Sequence, residues 1–207
     1  MRTAKHYTWE IKPLNTPFIK KKCSKCNGTA LFYCSNNFRV NANKKYLDVW
    51  LIYRCENCDT TYNLNILSRT NPQQINKDLY NRFMSNDEQL AHTYAFDAQI
   101  MADNKVVVDY THIEYNIESS LADQKELLDI EEDIISFEIK IERNVDTKVN
   151  QLIKKCLNIS ANRQEKMIEG GLMSLCPEKT LLKHKIRNGI CVSFDKDTLI
   201  KEMANPI

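Results

Sequence analysis

The fold of this chain is decided by the stretch that runs from Cys23-Ser-Lys-Cys26 to Cys55-Glu-Asn-Cys58. It contains two Cys-x-x-Cys pairs, each in a short polar turn, with 28 residues between them. Two such pairs, brought together by a hairpin, offer the four thiolates of a tetrahedral structural zinc site, with Zn–S distances of about 2.3 Å. We therefore predict that one Zn²⁺ ion is bound by four cysteines: Cys23, Cys26, Cys55 and Cys58.

The predicted zinc site is structural rather than catalytic. A catalytic zinc keeps one coordination position open for water or substrate, and four thiolates leave none. The alternatives are two unrelated pairs of free thiols or one redox-active pair. A redox pair is less favoured because the motif occurs twice and neither copy opens a recognisable helix after a strand. Gly28 follows the first pair, and we expect it to supply the backbone freedom of a sharp turn.

Apolar segments around the two pairs predict a zinc ribbon, in which a meander of strands joins two metal-binding turns. Three strands are predicted, over residues 30–33, 38–41 and 60–64. The strongest strand signal is the aromatic and β-branched run over residues 46–53, which leads directly into Cys55. Such a module has little core of its own, so metal binding should supply much of its folding energy. We expect the aromatic residues that precede the first pair, Trp9 and Phe18, to cover one side of the module.

The charges are distributed unevenly along the 207 residues, although the net charge is only +2. Residues 1–69 carry 12 Lys+Arg against 4 Asp+Glu, residues 70–142 carry 5 against 16, and residues 143–207 carry 12 against 7. The basic segments would suit phosphate, and the acidic one a basic partner. We predict an α+β protein of three parts: a zinc-ribbon domain at 1–69, an acidic helical and strand segment at 70–142, and a C-terminal unit at 143–207.

The acidic middle segment contains two helical and three strand patterns. Ile75, Leu79 and Phe83 repeat every four residues and predict an amphipathic helix. Acidic residues at the start of the next pattern predict a second helix over residues 85–101. Strands are predicted over residues 106–110, 113–117 and 135–141. The acid cluster at 129–133 is interpreted as a solvated face rather than as a metal or acid–base site.

The C-terminal segment is predicted to form two helices followed by a hairpin. Apolar residues at helical spacing predict a first helix from Val145 to Cys156. Ser160 is a suitable N-cap for a second helix, which Gly170 and Gly171 would end. Strands are predicted over residues 172–175 and 189–194. Seven basic residues are candidate nucleic-acid contacts: Lys148, Lys155, Arg163, Lys166, Lys183, Lys185 and Arg187.

This order of elements resembles the alpha-L motif, a small RNA-binding module first seen in a ribosomal small-subunit protein. The resemblance covers about a quarter of the chain and is carried by Val145-Asp146, Leu152, Ile159-Ser160, Ile168-Glu-Gly-Gly-Leu172 and Lys185-Ile-Arg-Asn-Gly-Ile190. Ala161 departs from the motif, where an Arg is usual, and so does Asn188-Gly189, where Gly-Asp is usual. The resemblance implies that four residues face phosphate or structured RNA: Lys148, Lys155, Arg163 and Lys166. The alternative is a small packed domain with ordinary surface lysines. Phosphate binding requires only clustered basic charge, and surface lysines can form such clusters without binding RNA.

The chain is also similar to an uncharacterised bacterial family, the domain of unknown function ten-sixty-two. The resemblance is carried by Phe38-Arg-Val-Asn-Ala-Asn-Lys-Lys45, Leu47-Asp-Val-Trp-Leu-Ile-Tyr-Arg-Cys55 and Cys58-Asp-Thr-Thr-Tyr-Asn63. It implies a bacterial origin and supplies no activity. In one interpretation, five polar residues of the first stretch bind phosphate or base edges: Arg39, Asn41, Asn43, Lys44 and Lys45. In the other, the asparagines build a turn. We favour the turn, since Asn tolerates left-handed backbone.

No catalytic machinery is recognisable in the sequence. The four histidines are scattered, without metal spacing and without a paired nucleophile. The sequence contains neither a Gly-rich phosphate loop nor a Gly-x-Ser-x-Gly elbow. The leading hypothesis is therefore a non-catalytic RNA- or nucleic-acid-binding protein with structural zinc. The alternative is a protein-interaction adaptor whose acidic middle docks a basic partner, and an enzyme is the least favoured.

The sequence also carries expectations about location. No apolar run reaches about 18 residues, so we expect no membrane span. No signal-peptide stretch follows the N-terminus, so we expect a cytoplasmic protein. Thiols stay reduced in the cytosol, which favours metal binding over disulfides. The cysteines outside the two pairs are interpreted as small buried apolar residues: Cys34, Cys156, Cys176 and Cys191.

Overall fold

A computed structural model describes residues 3–43 and 45–204 of the chain. These residues form ten strands: β1 (Ala4–Pro13), β2 (Phe18–Cys23), β3 (Gly28–Ala42), β4 (Leu47–Cys55), β5 (Thr61–Thr70), β6 (Val107–Asp109), β7 (Tyr115–Ser119), β8 (Ile134–Ile141), β9 (Met173–Cys176) and β10 (Cys191–Asp195). They also form six α-helices: α1 (Lys77–Met84), α2 (Glu88–Ala95), α3 (Ala98–Asp103), α4 (Val149–Leu157), α5 (Ala161–Glu169) and α6 (Lys196–Ala204). The α+β class is confirmed.

The strands and helices separate into two compact units. The inserted unit is Asn15–Glu114, and the terminal unit consists of the described parts of Met1–Leu14 and Tyr115–Ile207. Each unit has its own five-stranded sheet, so each is described by itself below. Short 3-10 helices at Pro72–Gln74 and Gln124–Leu128 lie in the inserted and the terminal unit, respectively.

The inserted unit is built on an antiparallel sheet with strand order β5-β4-β3-β2-β6. In β4 the residues alternate between buried and partly exposed positions, because successive side chains of a strand point to opposite faces. The buried face packs against the three helices α1 to α3 in one apolar core. Phe38 of β3 meets Phe83 of α1 edge-on, with ring centroids 5.1 Å apart. The predicted strand over residues 46–53 is confirmed.

The helices of the inserted unit begin at capped positions. The side chains of Asn76, Asp87 and Asp97 accept backbone N–H groups at the starts of α1, α2 and α3. The single helix predicted over residues 85–101 was wrong, because α2 ends at Ala95 and Asp97 caps a new helix. An acidic N-cap inside a helical pattern satisfies the first N–H groups of the next helix, so it permits a break there.

The terminal unit is built on a mixed sheet with strand order β7-β1-β8-β10-β9. The strand β1 pairs with β8 in parallel, although more than a hundred residues separate them. Trp9 of β1 stacks on Phe137 of β8 with ring centroids 4.4 Å apart, and Phe194 of β10 meets Phe137 edge-on. Trp9 and Ile11 are fully buried in this unit. The expectation that Trp9 covers the metal module was therefore wrong.

The division by contacts differs from the division predicted from charge. The predicted boundary at 69/70 falls inside the inserted unit, and that at 142/143 falls inside the terminal unit. Counted by unit, Asn15–Glu114 carries 12 Lys+Arg against 10 Asp+Glu, and the remaining residues carry 17 against 17. The charge asymmetry along the chain therefore disappears within the units. The charge of a segment reflects which residues it places on the surface and does not predict the unit boundaries. Strand pairing determines which segments fold together.

The C-terminal segment shows the predicted order of two helices and a hairpin. Ser160 caps α5 as predicted, and its hydroxyl accepts the Arg163 N–H. Buried Gln164 joins the two helices by donating to the carbonyls of Ile159, at 2.8 Å, and Asn150, at 3.0 Å. The strand β10 pairs with β8 as well as with β9. The hairpin is therefore one side of the terminal sheet, and α6 follows it, which the sequence did not predict.

Among the described residues, no helix combines the length and apolar character needed to cross a membrane.

Candidate metal centre

Two turns at neighbouring hairpin ends position the four paired cysteines. Cys23 ends β2 and Cys55 ends β4, so each Cys-x-x-Cys pair begins on a strand and finishes in the following turn. The strands β3 and β4 are adjacent, with Phe32 opposite Cys55, and this pairing brings the two turns together. The backbone N–H of Glu56 also donates to the Leu31 carbonyl at 2.9 Å, which fastens the second turn to β3.

Each turn closes with a residue in the left-handed backbone region. Asn27 directly follows the first pair with a φ of 53°, and Asp59 directly follows the second with a φ of 56°. Asn and Asp are the side chains that tolerate this region best after Gly. The role predicted for Gly28 was wrong, because Gly28 has no positive φ and lies at the start of β3. The two turns thus have the same backbone conformation at the residue after the second cysteine, in agreement with their matching Cys-x-x-Cys spacing.

The four sulfur atoms form a compact cluster. All of them lie within 4.8 Å of one another. The Cys23 and Cys58 sulfurs are 3.5 Å apart, and the Cys26 and Cys55 sulfurs are 3.9 Å apart. A tetrahedron with metal–sulfur distances near 2.3 Å has sulfur–sulfur edges of about 3.8 Å. The cluster therefore has the size of a four-thiolate metal site, and the predicted grouping of these cysteines is confirmed.

Hydrogen bonds favour the thiolate form at two of the cysteines. The side chain and the backbone N–H of Thr60 lower the pKa of Cys58 to about 6, and the hydroxyl lies 3.1 Å from the sulfur. The backbone N–H of Cys26 lowers the pKa of Cys23. Contacts with the sulfurs of Cys58 and Cys23 instead raise the pKa of Cys26 to about 12. Four adjacent thiolates repel one another, and a bound cation removes that repulsion.

The remaining cysteines lie outside this cluster. Cys34 is partly buried in the inserted unit, and burial raises its pKa to about 11. In the terminal unit, Cys156 and Cys191 are partly buried. Cys176 is exposed, so the interpretation of this residue as a buried apolar side chain was wrong. Its position at the last residue of the four-residue strand β9 explains the exposure.

The seven basic candidates are distributed over several elements of the terminal unit. Lys148 is the N-cap of α4, and it forms an isolated β-bridge with Lys185. The Lys185 ammonium lies 2.6 Å from Asp146, and Arg163 lies 3.1 Å from Glu202. The remaining four are Lys155, whose ammonium lies 4.0 Å from the ring centroid of Tyr115, and three exposed residues, Lys166, Lys183 and Arg187. The structure thus brings Lys148 and Lys185 together, and several of the seven already have partners within the unit.

The structure describes part of the turn predicted at residues 41–45, and Asn41 and Ala42 of that segment still lie on β3. The Asn43 side chain accepts the backbone N–H groups of Lys45 and Tyr46, at 2.9 and 2.7 Å. This contact supports the turn interpretation for Asn43. Lys44 lies outside the described residues. Arg39 lies earlier, on β3, where it is exposed opposite Trp50.

The inserted sheet has a second face that the sequence reasoning missed. Directly opposed residues of an antiparallel pair share a face, so the strand register identifies its members. Tyr33 is opposite Arg54, and Arg39 is opposite Trp50. None of these four belongs to the apolar core cluster. We call this surface the open sheet face: Lys20, Lys22, Leu31, Tyr33, Arg39, Asp48, Trp50, Ile52, Arg54, Asn63 and Asn65. The alternation of apolar and polar residues over 47–55 could have predicted the β4 residues of this face.

Comparison with known proteins gives one match. No curated protein and no solved structure matches the chain. A family model described as "Protein of unknown function (DUF1062)" matches residues 40–179, which include Cys55 and Cys58 and begin after Cys23 and Cys26. The match spans more than half of the chain and reaches from β3 to beyond β9. Its extent over strands and helices of both units shows that the chain belongs to the DUF1062 family.

Proposed function

We propose that the chain is a non-catalytic protein that binds single-stranded nucleic acid, RNA in particular, on the open sheet face. A structural Zn²⁺ ion would hold the sheet in shape through the four clustered cysteines. The observation that supports this proposal is that aromatic rings and cations lie together on the open sheet face of the inserted unit. Zinc would supply a rigid cross-link between the two turns, and the sheet would supply the binding surface.

The choice of zinc rests on the ligand set. Four sulfur ligands with tetrahedral spacing favour zinc or iron–sulfur chemistry, and a closed set of four thiolates on one ion is typical of structural zinc. Elemental analysis of the protein purified without added metal tests this choice. We expect one zinc per chain and no iron. A protein that is folded and free of zinc after purification would overturn the assignment.

The open sheet face has the chemistry of a stacking platform. Tyr33 and Trp50 present aromatic rings that are partly exposed. Bases stack on such rings with little sequence preference, and each stack contributes about 1–3 kcal/mol. Sheet surfaces with exposed aromatics bind single-stranded RNA in this manner. Asn65 of β5 is exposed, and its side-chain amide adds a donor and an acceptor that suit base edges.

An arginine lies directly opposite each ring in the strand register: Arg54 opposite Tyr33, and Arg39 opposite Trp50. Lys22, Arg39 and Arg54 are exposed, and no ion pair joins any of the three to an acidic group within residues 3–43 and 45–204. Lys20 of the same face lies 2.7 Å from Asp109. In the terminal unit, Lys185 and Arg163 also face acidic partners. Free guanidinium groups bind phosphate in a planar fork. The open sheet face therefore supports nucleic-acid binding better than the C-terminal lysines do.

Tryptophan fluorescence provides a direct test. The chain has two tryptophans, and Trp9 is buried in the terminal unit, so quenching on titration reports on Trp50. We expect an unstructured oligouridine to quench the emission and the affinity to fall with salt. The double variant Arg39→Ala and Arg54→Ala should lower the slope of log K against log salt by about 0.7 for each phosphate contact removed. The matched control is Arg163→Ala with Lys166→Ala, which should leave the slope unchanged.

The control pair also identifies the competing location. If only the Arg163→Ala and Lys166→Ala pair lowers the slope, binding belongs to the terminal unit, as the alpha-L resemblance implies. Absence of quenching and of any shift in electrophoretic mobility at low salt would overturn nucleic-acid binding.

A second candidate function is protein docking, in line with the adaptor alternative. A groove of about 670 Å³ in the terminal unit is lined by apolar side chains, by the three acidic residues Glu165, Glu169 and Glu178, and by one basic residue, Lys183. Leu181 in this groove is 60% exposed, and the adjacent strand β9 is an edge of the sheet. An edge strand can pair with an added strand, and the acidic rim favours a basic one. A peptide of alternating valine and lysine should bind, and Leu181→Asp should abolish that binding while leaving oligouridine binding intact.

A further inference from the structure

The hairpin of the terminal unit places two cysteines directly opposite each other. Cys176 is the last residue of β9, and Cys191 is the first residue of β10. They are register partners in the antiparallel pair. Directly opposed residues point to the same face, with Cα atoms about 4.5–5.5 Å apart. That separation lies within the range of about 4.4–6.8 Å over which a disulfide can form without backbone movement.

The surroundings of the pair allow an oxidant to reach it. Cys176 is exposed and Cys191 is partly exposed. Cys191 faces Glu138 of β8 on its other side, and burial together with the charges of Glu138 and Cys176 raises the pKa of its thiol. The exposed Cys176 is therefore the thiol that meets an oxidant first, and Cys191 is in place to resolve it.

We propose that Cys176 and Cys191 form a reversible cross-strand disulfide, so that the hairpin carries a redox-modifiable site in addition to the metal centre. With hydrogen peroxide as oxidant, the Cys176 thiolate attacks one peroxide oxygen, the O–O bond breaks, and the other oxygen leaves as water after protonation. The Cys176 sulfenic acid is then attacked by the Cys191 thiolate, which forms the S–S bond and releases a second water. In total, two thiols and one peroxide give one disulfide and two waters, and a dithiol reductant reverses the reaction.

The bond would close a defined segment of the chain. Residues 177–190 connect the two cysteines, and they contain three of the basic candidates: Lys183, Lys185 and Arg187. The disulfide would fasten both ends of this connection and would cross-link the edge strand β9 to β10. The other cysteines of this unit offer no comparable pair, since Cys156 lies on α4 and burial raises its pKa to about 12.

Peptide mapping of the intact, metal-loaded protein tests the proposal. After treatment with hydrogen peroxide and alkylation of free thiols, we expect a linked peptide that contains Cys176 and Cys191 and has lost the mass of two hydrogen atoms. Dithiothreitol should restore both alkylatable thiols. Cys156→Ser is the matched control and should leave the linked peptide unchanged.

A second variant separates the two chemical steps. In Cys191→Ser, Cys176 should accumulate as a sulfenic acid that dimedone traps, because the resolving thiol is absent. Release of zinc is followed in parallel with a chromogenic chelator, so that oxidation of the metal-binding cysteines is distinguished from oxidation of the hairpin. If both hairpin thiols remain alkylatable in peroxide while circular dichroism shows a folded protein, the proposal is overturned. Linkage of either cysteine to a different cysteine would overturn it as well.

Discussion

The two units of this chain solve the same problem, the stability of a five-stranded sheet, by different means. The inserted unit joins four strands that follow one another in sequence, β2 to β5, and adds the short strand β6 beside β2. It gathers four cysteines at the ends of two hairpins. The terminal unit joins distant strands around a stacked aromatic core. A sheet made of neighbouring hairpins costs little chain entropy to close, whereas β1 must find β8 across the whole inserted unit. Under the proposed zinc binding, the inserted unit would depend on a ligand, whereas the terminal unit depends on packing.

The largest expected effect is the loss of the metal ligand set. Cys55→Ser should unfold the inserted unit, because structural zinc contributes about 10–16 kcal/mol of binding free energy in zinc-finger peptides. Hydrogen exchange measured by mass spectrometry should show loss of protection over β2 to β5 and retention over β1 and β8. Cys34→Ala is the matched control in the same unit, and it should retain zinc. Equal loss of protection in both units would contradict the view that only the inserted unit depends on the metal.

The next effect concerns the aromatic core of the terminal unit. Trp9 is 1% exposed and stacks on Phe137, so Trp9→Ala should destabilise this unit by about 3–5 kcal/mol. Urea denaturation followed by circular dichroism measures the change. Zinc content should stay at the wild-type level, because the cysteines belong to the other unit. Zinc loss in this variant would show that the two units do not fold separately.

A smaller effect is expected at a buried carboxylate of the inserted unit. Asp109 is 6% exposed, and its contacts with the Lys20 ammonium, at 2.7 Å, and with Thr111 hold its pKa well below the usual range. A depressed pKa contributes stability that is present above the unfolded pKa, near 4, and is lost as the pH falls toward the folded pKa. The inserted unit should therefore lose stability below about pH 4.

Asp109→Asn provides the variant for this comparison. It should reduce stability at neutral pH by about 1–3 kcal/mol and flatten the acid dependence of unfolding. Asp103→Asn is the control, since Asp103 is an exposed residue of the same unit. An acid profile identical to that of the wild type would contradict the assigned role of Asp109.

The smallest effect sharpens the description of the metal-binding turns. Asn27→Ala should cost about 1 kcal/mol, because a side chain with a Cβ and no local hydrogen bond is strained in the left-handed region. Asn27→Gly should be tolerated. Gly28→Ala is the matched control: a Cβ there would meet its nearest neighbour, the Cys26 carbonyl oxygen, at an ordinary 3.9 Å. Competition for zinc with a chelator should rank the affinities in the same order. A larger effect for Gly28→Ala than for Asn27→Ala would reverse this account.

Several features could be predicted from the sequence because their signals are local. The paired cysteines, the alternation along β4 and the Ser160 cap each depend on residues within a few positions of one another. The position of Trp9 could not be predicted, because nothing near it indicates that its partner lies in β8. The members of the open sheet face on β4 could be predicted from the alternation of that strand. The members on β2, β3 and β5 could not, because they depend on strand register.

The sequence alone predicted the grouping of four cysteines that could hold a metal ion, the mixture of helices and strands, and the positions of most of those elements. These properties follow from residue type and short-range spacing, because local sterics and the spacing of metal ligands depend on residues that are close in sequence. Only the tertiary structure decided that residues 3–14 belong with the C-terminal half, that charge balances within each unit, and that Cys176 is opposite Cys191. Those properties depend on which distant strands pair, and hydrophobic burial and register, rather than local propensity, select the pairing.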